Sequence, residues 1–223
     1  MAVHPRPGRR IGRASLMLAF LIGITLIWLQ AQGLWASGSM PSQLPSAQRE
    51  VLLVNADHPL ADDFGEPELV ELVNQVPVSG SDVRVAAEVE KPLLKLFAAA
   101  RKAGLKNLYV SSGYRTAEQQ QALWDASDDR SYVQPPGHSE HQTGLAVDLA
   151  DLKVAAGKFG ESKAGRWLAR HAWKYGFLLR YPAGKEEITG ISYEPWHFRY
   201  VGRKVARACH EDDLTLEEYL HAE

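Results

Sequence analysis

The chain has 223 residues, 45% hydrophobic and 23% charged, with a formal net charge of −2, the composition of an ordinary globular protein. The only charges in residues 1–37 are Arg6, Arg9, Arg10 and Arg13, so the body is more acidic than that total. This argues against a nucleic-acid partner, because phosphate binding needs a basic face. Cys209 is the only cysteine, which excludes an intramolecular disulfide, a thiolate metal site and a lipid-modified cysteine behind a signal sequence.

The four arginines precede Leu16–Leu29, an uncharged apolar run, and small residues follow at Ala31-Gln32-Gly33 and Ala36-Ser37-Gly38. Basic, then apolar, then small is the order of a secretory signal. The run is shorter than the roughly 18 to 20 residues that comfortably span a bilayer. Gln30–Trp35 would extend it, with Trp28 and Trp35 near an interface. Residues 1–37 are expected to be a signal peptide or a retained membrane anchor, and in either case the body is exported to the extracytoplasmic envelope. Residues 38–49, rich in Ser, Pro and Gly, read as a linker, and the folded domain is expected over residues 50–223.

Within that domain, Val51–Asn55 is expected as an edge strand and Leu60–Ser81 as an irregular flap. Pro92–Ala103 predicts a helix: Leu93, Leu96, Phe97 and Ala100 recur at helical spacing, and Gly104 stands where helices commonly end. Leu105–Ser111 predicts a strand leading into Gly113-Tyr114-Arg115. Thr116 and Gln119 form a capping-box pattern that opens a helix with Gln120, Leu123 and Trp124 on one side; Asp125–Gly137 is a polar loop. Over Leu145–Ala150, Leu145, Val147 and Leu149 alternate with Ala146, Asp148 and Ala150. Alanines beside an aspartate leave room for a metal. Ser162–Tyr175 predicts an amphipathic helix closed by Gly176. Phe177–Tyr181 predicts a strand, as does the alternation of Trp196, Phe198 and Tyr200 with His197, Arg199 and Val201. Thr215 with Glu218 caps a short terminal helix. With no regular βαβ alternation, the expected class is α+β: a small antiparallel sheet with helices packed on one side and the metal site on the sheet.

Two stretches carry the chemistry: Ser139-Glu140-His141-Gln142-Thr143-Gly144-Leu145-Ala146-Val147-Asp148 and Glu194-Pro195-Trp196-His197. Two imidazoles, a carboxylate and an open fourth position suit a catalytic zinc, and a spare glutamate can take a proton from water. His141 and Asp148 are an odd number of residues apart and would face opposite ways in one straight strand. Gly144 permits a turn that redirects His141. Glu194 and His197 have the same parity, and Pro195 is expected to mark a kink or bulge that turns Glu194 toward the metal's water. The residues alone also allow structural histidines and a turn-capping aspartate; spatial proximity decides between the two. His171 is expected as a satisfied core histidine, His210 and His221 as solvated, and Trp124, Trp167, Trp173 and Trp196 as core.

These motifs, together with Ser112-Gly113-Tyr114-Arg115, Trp167–Phe177, Arg180-Tyr181-Pro182 and Gly190-Ile191, resemble the VanY-type zinc D-alanyl-D-alanine carboxypeptidases, one group of cell-wall D,D- and L,D-peptidases. The resemblance implies zinc held by His141, Asp148 and His197, and Glu194 as catalytic base. It implies Arg115 as the arginine that binds substrate or steadies the oxyanion, Ser139 near the substrate's terminal carboxylate and Gln120 close to the substrate. His138 departs from the family's small hydroxyl residue and is expected at the entrance, not as a ligand. The implied reaction is hydrolysis of the terminal D-Ala of peptidoglycan stem peptides; separately, a monomer is expected. The alternatives are an L,D-carboxypeptidase trimming tetrapeptide stems, a D,D-dipeptidase and a non-catalytic wall-binding module of the same fold. Glu194 beside all three ligands weighs against the last, because binding alone needs no base. A zinc store would need His-rich tracts, and a serine hydrolase a Ser-x-x-Lys opening a helix; the chain has neither.

Overall fold

The computed structural model describes residues 51–221, so the expected signal or anchor (1–37) and linker (38–49) lie outside the described residues. Six strands are described: β1 (Leu69–Glu71), β2 (Arg84–Ala86), β3 (Leu108–Ser112), β4 (Ala146–Asp151), β5 (Phe177–Leu179) and β6 (His197–Tyr200). β1 and β2 form a two-stranded antiparallel sheet, and the other four an antiparallel sheet of order β3-β4-β6-β5. The helices are α1 (Ala87–Lys102), α2 (Ala117–Ala126), α3 (Lys163–His171), α4 (Glu186–Thr189), α5 (Gly202–Glu211) and α6 (Leu216–His221).

Strand alternation sorts the four-stranded sheet into two faces. Leu108, Val110, Val147, Leu149, Phe177, Phe198 and Tyr200 point into one core with Leu93, Leu96 and Phe97 of α1 and Leu168 of α3. The opposite parity carries Asp148, His197 and Arg199. Leu178, also of that parity, joins a second cluster with Val201, Val205, Ala206 and Cys209 around α5, and Leu216 and Tyr219 of α6. Both expected capping boxes form. The Thr116 hydroxyl accepts from the Gln119 amide while the Gln119 side chain accepts from Thr116 N, and Thr215 and Glu218 repeat the exchange at α6.

Three expectations need correction, and one helix was not expected at all. Val51–Asn55 is not a strand: the Leu52 carbonyl accepts from Arg199 Nη2 at 2.9 Å, so a side chain takes the place of a neighbouring strand. The expected flap holds β1, whose Val70 pairs with Val85. α1 begins at Ala87, with Pro92 inside it and Glu88 and Glu90 in a first turn that favours acids. α5 has no counterpart in the sequence reading; its apolar stripe of Val205, Ala206 and Cys209 is interrupted by charges. Among the described residues, no helix is long and apolar enough to cross a membrane.

Candidate metal centre

Asp148 and His197 are directly opposed in the β4–β6 register, so both side chains project from the same face. His141 comes from the 3-10 turn Glu140–Thr143, which ends at Gly144 with φ of 70°. Gly144 O accepts from Ala86 N at 2.9 Å, and a Cβ at Gly144 would fall 2.9 Å from that nitrogen, so only glycine makes this turn against β2. The turn brings His141 Nε2 to 3.4 Å from Asp148 Oδ2, while His197 Nδ1 lies 3.3 Å from Asp148 Oδ1. Glu194 and His197 are joined by a turn through Pro195, with His197 N donating to Glu194 O at 3.2 Å. The kink puts the Glu194 carboxylate 3.5 Å from His197 Nδ1.

The remaining hydrogen bonds assign the protons. His141 Nδ1 lies 2.6 Å from Gly113 O, and His197 Nε2 lies 3.3 Å from Glu140 Oε2. Carbonyl and carboxylate oxygens only accept, so those two nitrogens carry hydrogen. The other two nitrogens, His141 Nε2 and His197 Nδ1, face Asp148 and are the ones left to bind a cation when the rings are neutral. His141 Nε2 and Asp148 Oδ1 are buried without a hydrogen-bond partner, which is costly unless something else satisfies them.

This donor set fits a zinc ion. Tetrahedral bonds of about 2.0–2.1 Å place neighbouring ligand atoms about 3.3 Å apart, and each imidazole lies 3.3 or 3.4 Å from one of the two Asp148 oxygens. His141, Asp148 and His197 each offer one ligand atom, all within 4.8 Å of one another. The charge balance agrees. Burial works against a charged His197, but bonds to Asp148 and Glu140 push its pKa up to about 9, so the cluster attracts a cation at that spot. His141 is held neutral by burial and by Arg115. Burial, with Asp148 and Glu140 adding to it and His197 and Arg115 opposing, pushes Glu194 up to about 7.

Arg115 Nη1 donates to Gln120 Oε1 at 2.8 Å, and Gln120 Nε2 donates to Gln134 O at 2.6 Å. Gln120 thus fixes the guanidinium, whose Nη2 reaches to 3.8 Å from Asp148. All seven residues singled out from the sequence (Arg115, Gln120, Ser139, His141, Asp148, Glu194 and His197) line one cleft of about 180 Å³. His138 is not among its walls and pairs with Asn55 O instead, at 2.9 Å. Of the four tryptophans expected as core, Trp167, Trp173 and Trp196 are half-buried against the two cores, Trp196 lining the cleft as well; Trp124 differs, lying half-buried under the Arg130 guanidinium, 3.8 Å from its ring centre. His171 is satisfied by Trp167 O at 2.7 Å, and exposed His210 stacks on Trp173.

Sequence reasoning gave no role to Glu140, Arg180, Arg199 and Glu217, which form a buried ionic group behind His197. One signal was available: Arg199 shares strand parity with His197 and so had to lie on the site's face.

A profile of the family described as VanY, D-alanyl-D-alanine carboxypeptidase, matches residues 82–203. The chain is similar to a D-alanyl-D-alanine carboxypeptidase of Enterococcus faecium, with 34% identity over 179 residues, 78% of this chain and 58% of the relative. It thus spans less than two thirds of that relative's length. Among solved structures, it is similar to the LdcB LD-carboxypeptidase, with 38% identity and a TM-score of 0.70 over 78% of this chain and 87% of the other. It is also similar to a VanY D,D-pentapeptidase of a VanB-type resistance cassette in complex with Zn(II), with 36% identity and a TM-score of 0.65 over 77% and 99%. Sequence, fold and donor set agree, and the chain belongs to the VanY D-alanyl-D-alanine carboxypeptidase family.

Proposed function

We propose that the chain is a zinc-dependent carboxypeptidase that hydrolyses the terminal D-Ala from peptidoglycan stem peptides. We place it in the extracytoplasmic envelope as a monomer, with residues 1–37 as signal or anchor, 38–49 as linker and 50–223 as the catalytic domain. The observation that carries the reading is the convergence of ligand atoms of His141, Asp148 and His197 to within 4.8 Å of one another beside the buried carboxylate of Glu194.

Zinc, when bound, supplies Lewis acidity and lowers the pKa of water toward neutrality. The chain's own groups do the rest. Glu194, with its pKa pushed up to about 7 by burial, is poised to accept a proton and return it to the departing amine. Arg115 keeps its charge throughout and is braced by Gln120, so it can hold the developing oxyanion or the substrate's terminal carboxylate without reorganising. The buried Ser139 hydroxyl is a further donor for that carboxylate. Tyr132 and Trp196, with ring centres 6.3 Å apart, add aromatic surface to the cleft.

A second reading, an L,D-carboxypeptidase that trims tetrapeptide stems, is favoured by the likeness to LdcB, whose TM-score of 0.70 is no lower than the 0.65 of the VanY structure. The two are separated by incubating the zinc-loaded protein with a pentapeptide ending in D-Ala-D-Ala and with the corresponding tetrapeptide, followed by mass spectrometry. Loss of one D-Ala from the pentapeptide supports the first reading. Cleavage of the tetrapeptide alone supports the second, and two intact substrates reject both.

A further inference from the structure

Behind His197, Glu140, Arg180 and Arg199 are fully buried as side chains and Glu217 nearly so. Glu140 Oε1 accepts from Arg180 Nε at 2.7 Å and from Arg199 Nη1 at 2.9 Å. Its other oxygen, Oε2, is the one facing His197 Nε2, at 3.3 Å. The fork of Arg180 is turned away from Glu140 onto Glu217: Nη1 donates to Oε2 at 2.8 Å and Nη2 to Oε1 at 2.5 Å. Asn55 Nδ2 adds a bond to Glu217 Oε1 at 3.1 Å.

Among the described residues, two carboxylates face two guanidiniums in this group. Such a group is expensive to bury, and apolar packing often replaces one without loss of stability. What this arrangement supplies is an oriented imidazole. A carboxylate behind a ligand histidine fixes the ring and its tautomer and raises its basicity. Glu140 can do this only while Oε2 is free of the arginines. If Glu217 lost its charge, the Arg180 fork would be released toward Glu140, and one negative charge would be lost close behind His197 in a low-dielectric interior. Glu217 lies in α6, beyond the residues 82–203 matched by the family profile.

We propose that Glu217 is a positioning residue of the metal centre: it holds Arg180 so that Glu140 orients the His197 ring, making the last helix part of the cation-binding apparatus. The proposal rests on the zinc reading above.

The test measures zinc affinity of the full chain by competition with a chromophoric chelator, together with the visible spectrum of the Co(II)-loaded protein. Glu217→Gln should weaken zinc binding by about ten- to a hundredfold and alter the cobalt bands. Glu218→Gln is the control: it removes the charge paired with Lys185, while its amide oxygen can still cap Thr215 N as Gln119 does at α2, so it should leave the fold and the zinc affinity unchanged. A folded Glu217→Gln protein with wild-type affinity and an unchanged cobalt spectrum overturns the proposal. Should that variant fail to fold, Glu217→Asp keeps the charge but draws the carboxylate back from the fork, and the same two readouts apply, with unchanged values again overturning it. A wild-type chain that takes up no zinc overturns this proposal and the zinc reading together, whereas a wild type that binds zinc beside an indifferent variant overturns the positioning role alone.

Discussion

Glu194 and Glu140 are both buried within 3.5 Å of the His197 ring, yet their protonation behaviour differs. Burial alone would raise both. Glu194 follows it, to about 7, whereas Arg180 and Arg199 hold Glu140 far below the ordinary carboxylate range. One is therefore suited to exchanging a proton and the other to fixed charge. Glu194→Gln should reduce kcat by about a hundred- to ten-thousandfold while zinc affinity stays at the wild-type value; steady-state kinetics beside a zinc titration check this, and retained activity would move the base role elsewhere. Cys209 is 2% exposed, and burial pushes its thiol up to about 11. The thiolate thus appears only as pH rises toward that value. Iodoacetamide at pH 8 should leave the native protein unlabelled, and label it after denaturation; rapid labelling of native protein would show that α5 opens.

At the scale of elements, β3 carries an irregularity between Val110 and Ser112 and delivers Gly113, whose carbonyl holds His141. A Cβ at Gly113 would fall 2.3 Å from the Arg84 carbonyl oxygen. Gly113→Ala should therefore cost about 1–3 kcal/mol of stability, the usual range for overpacking, and weaken zinc binding by moving that carbonyl. Denaturant unfolding and a chelator competition check the two effects. Elements whose cause is local were legible in the sequence: both capping boxes, the β4 alternation, the turn at Gly144 and the kink at Pro195. Elements decided by distant partners were not. Val51–Asn55 looks like a strand, but Arg199 and Glu217 hold it through Leu52 O and the Asn55 side chain. α5 was hidden because its buried stripe is short and crowded by arginines and lysine, so its helical period is visible only once the second core is known.

Across the whole molecule, the buried ionic group ties the segment around Asn55, the turn before β4, the end of β5, strand β6 and helix α6 to His197. The ordered motifs made the composition of the cleft readable, since each of its singled-out residues sits in a segment with its own local signature. Full burial of Arg180 and Arg199 was not readable, because burial belongs to the assembled fold and arginine is ordinarily exposed. A cation that binds only the folded state stabilises it by mass action, by about 4 kcal/mol at a thousand times Kd. Chelation should accordingly lower the thermal midpoint, and added zinc should restore it. Calorimetry with and without zinc measures this; a midpoint indifferent to the metal would separate the fold from the site.

The most direct measurement is anomalous diffraction at the zinc edge from crystals of the zinc-loaded protein. One peak is predicted, about 2.0–2.2 Å from His141 Nε2, a carboxylate oxygen of Asp148 and His197 Nδ1, with Glu194 outside bonding distance. A zinc-loaded crystal with no peak between β4 and β6, or with the ion held by other side chains, would contradict the account.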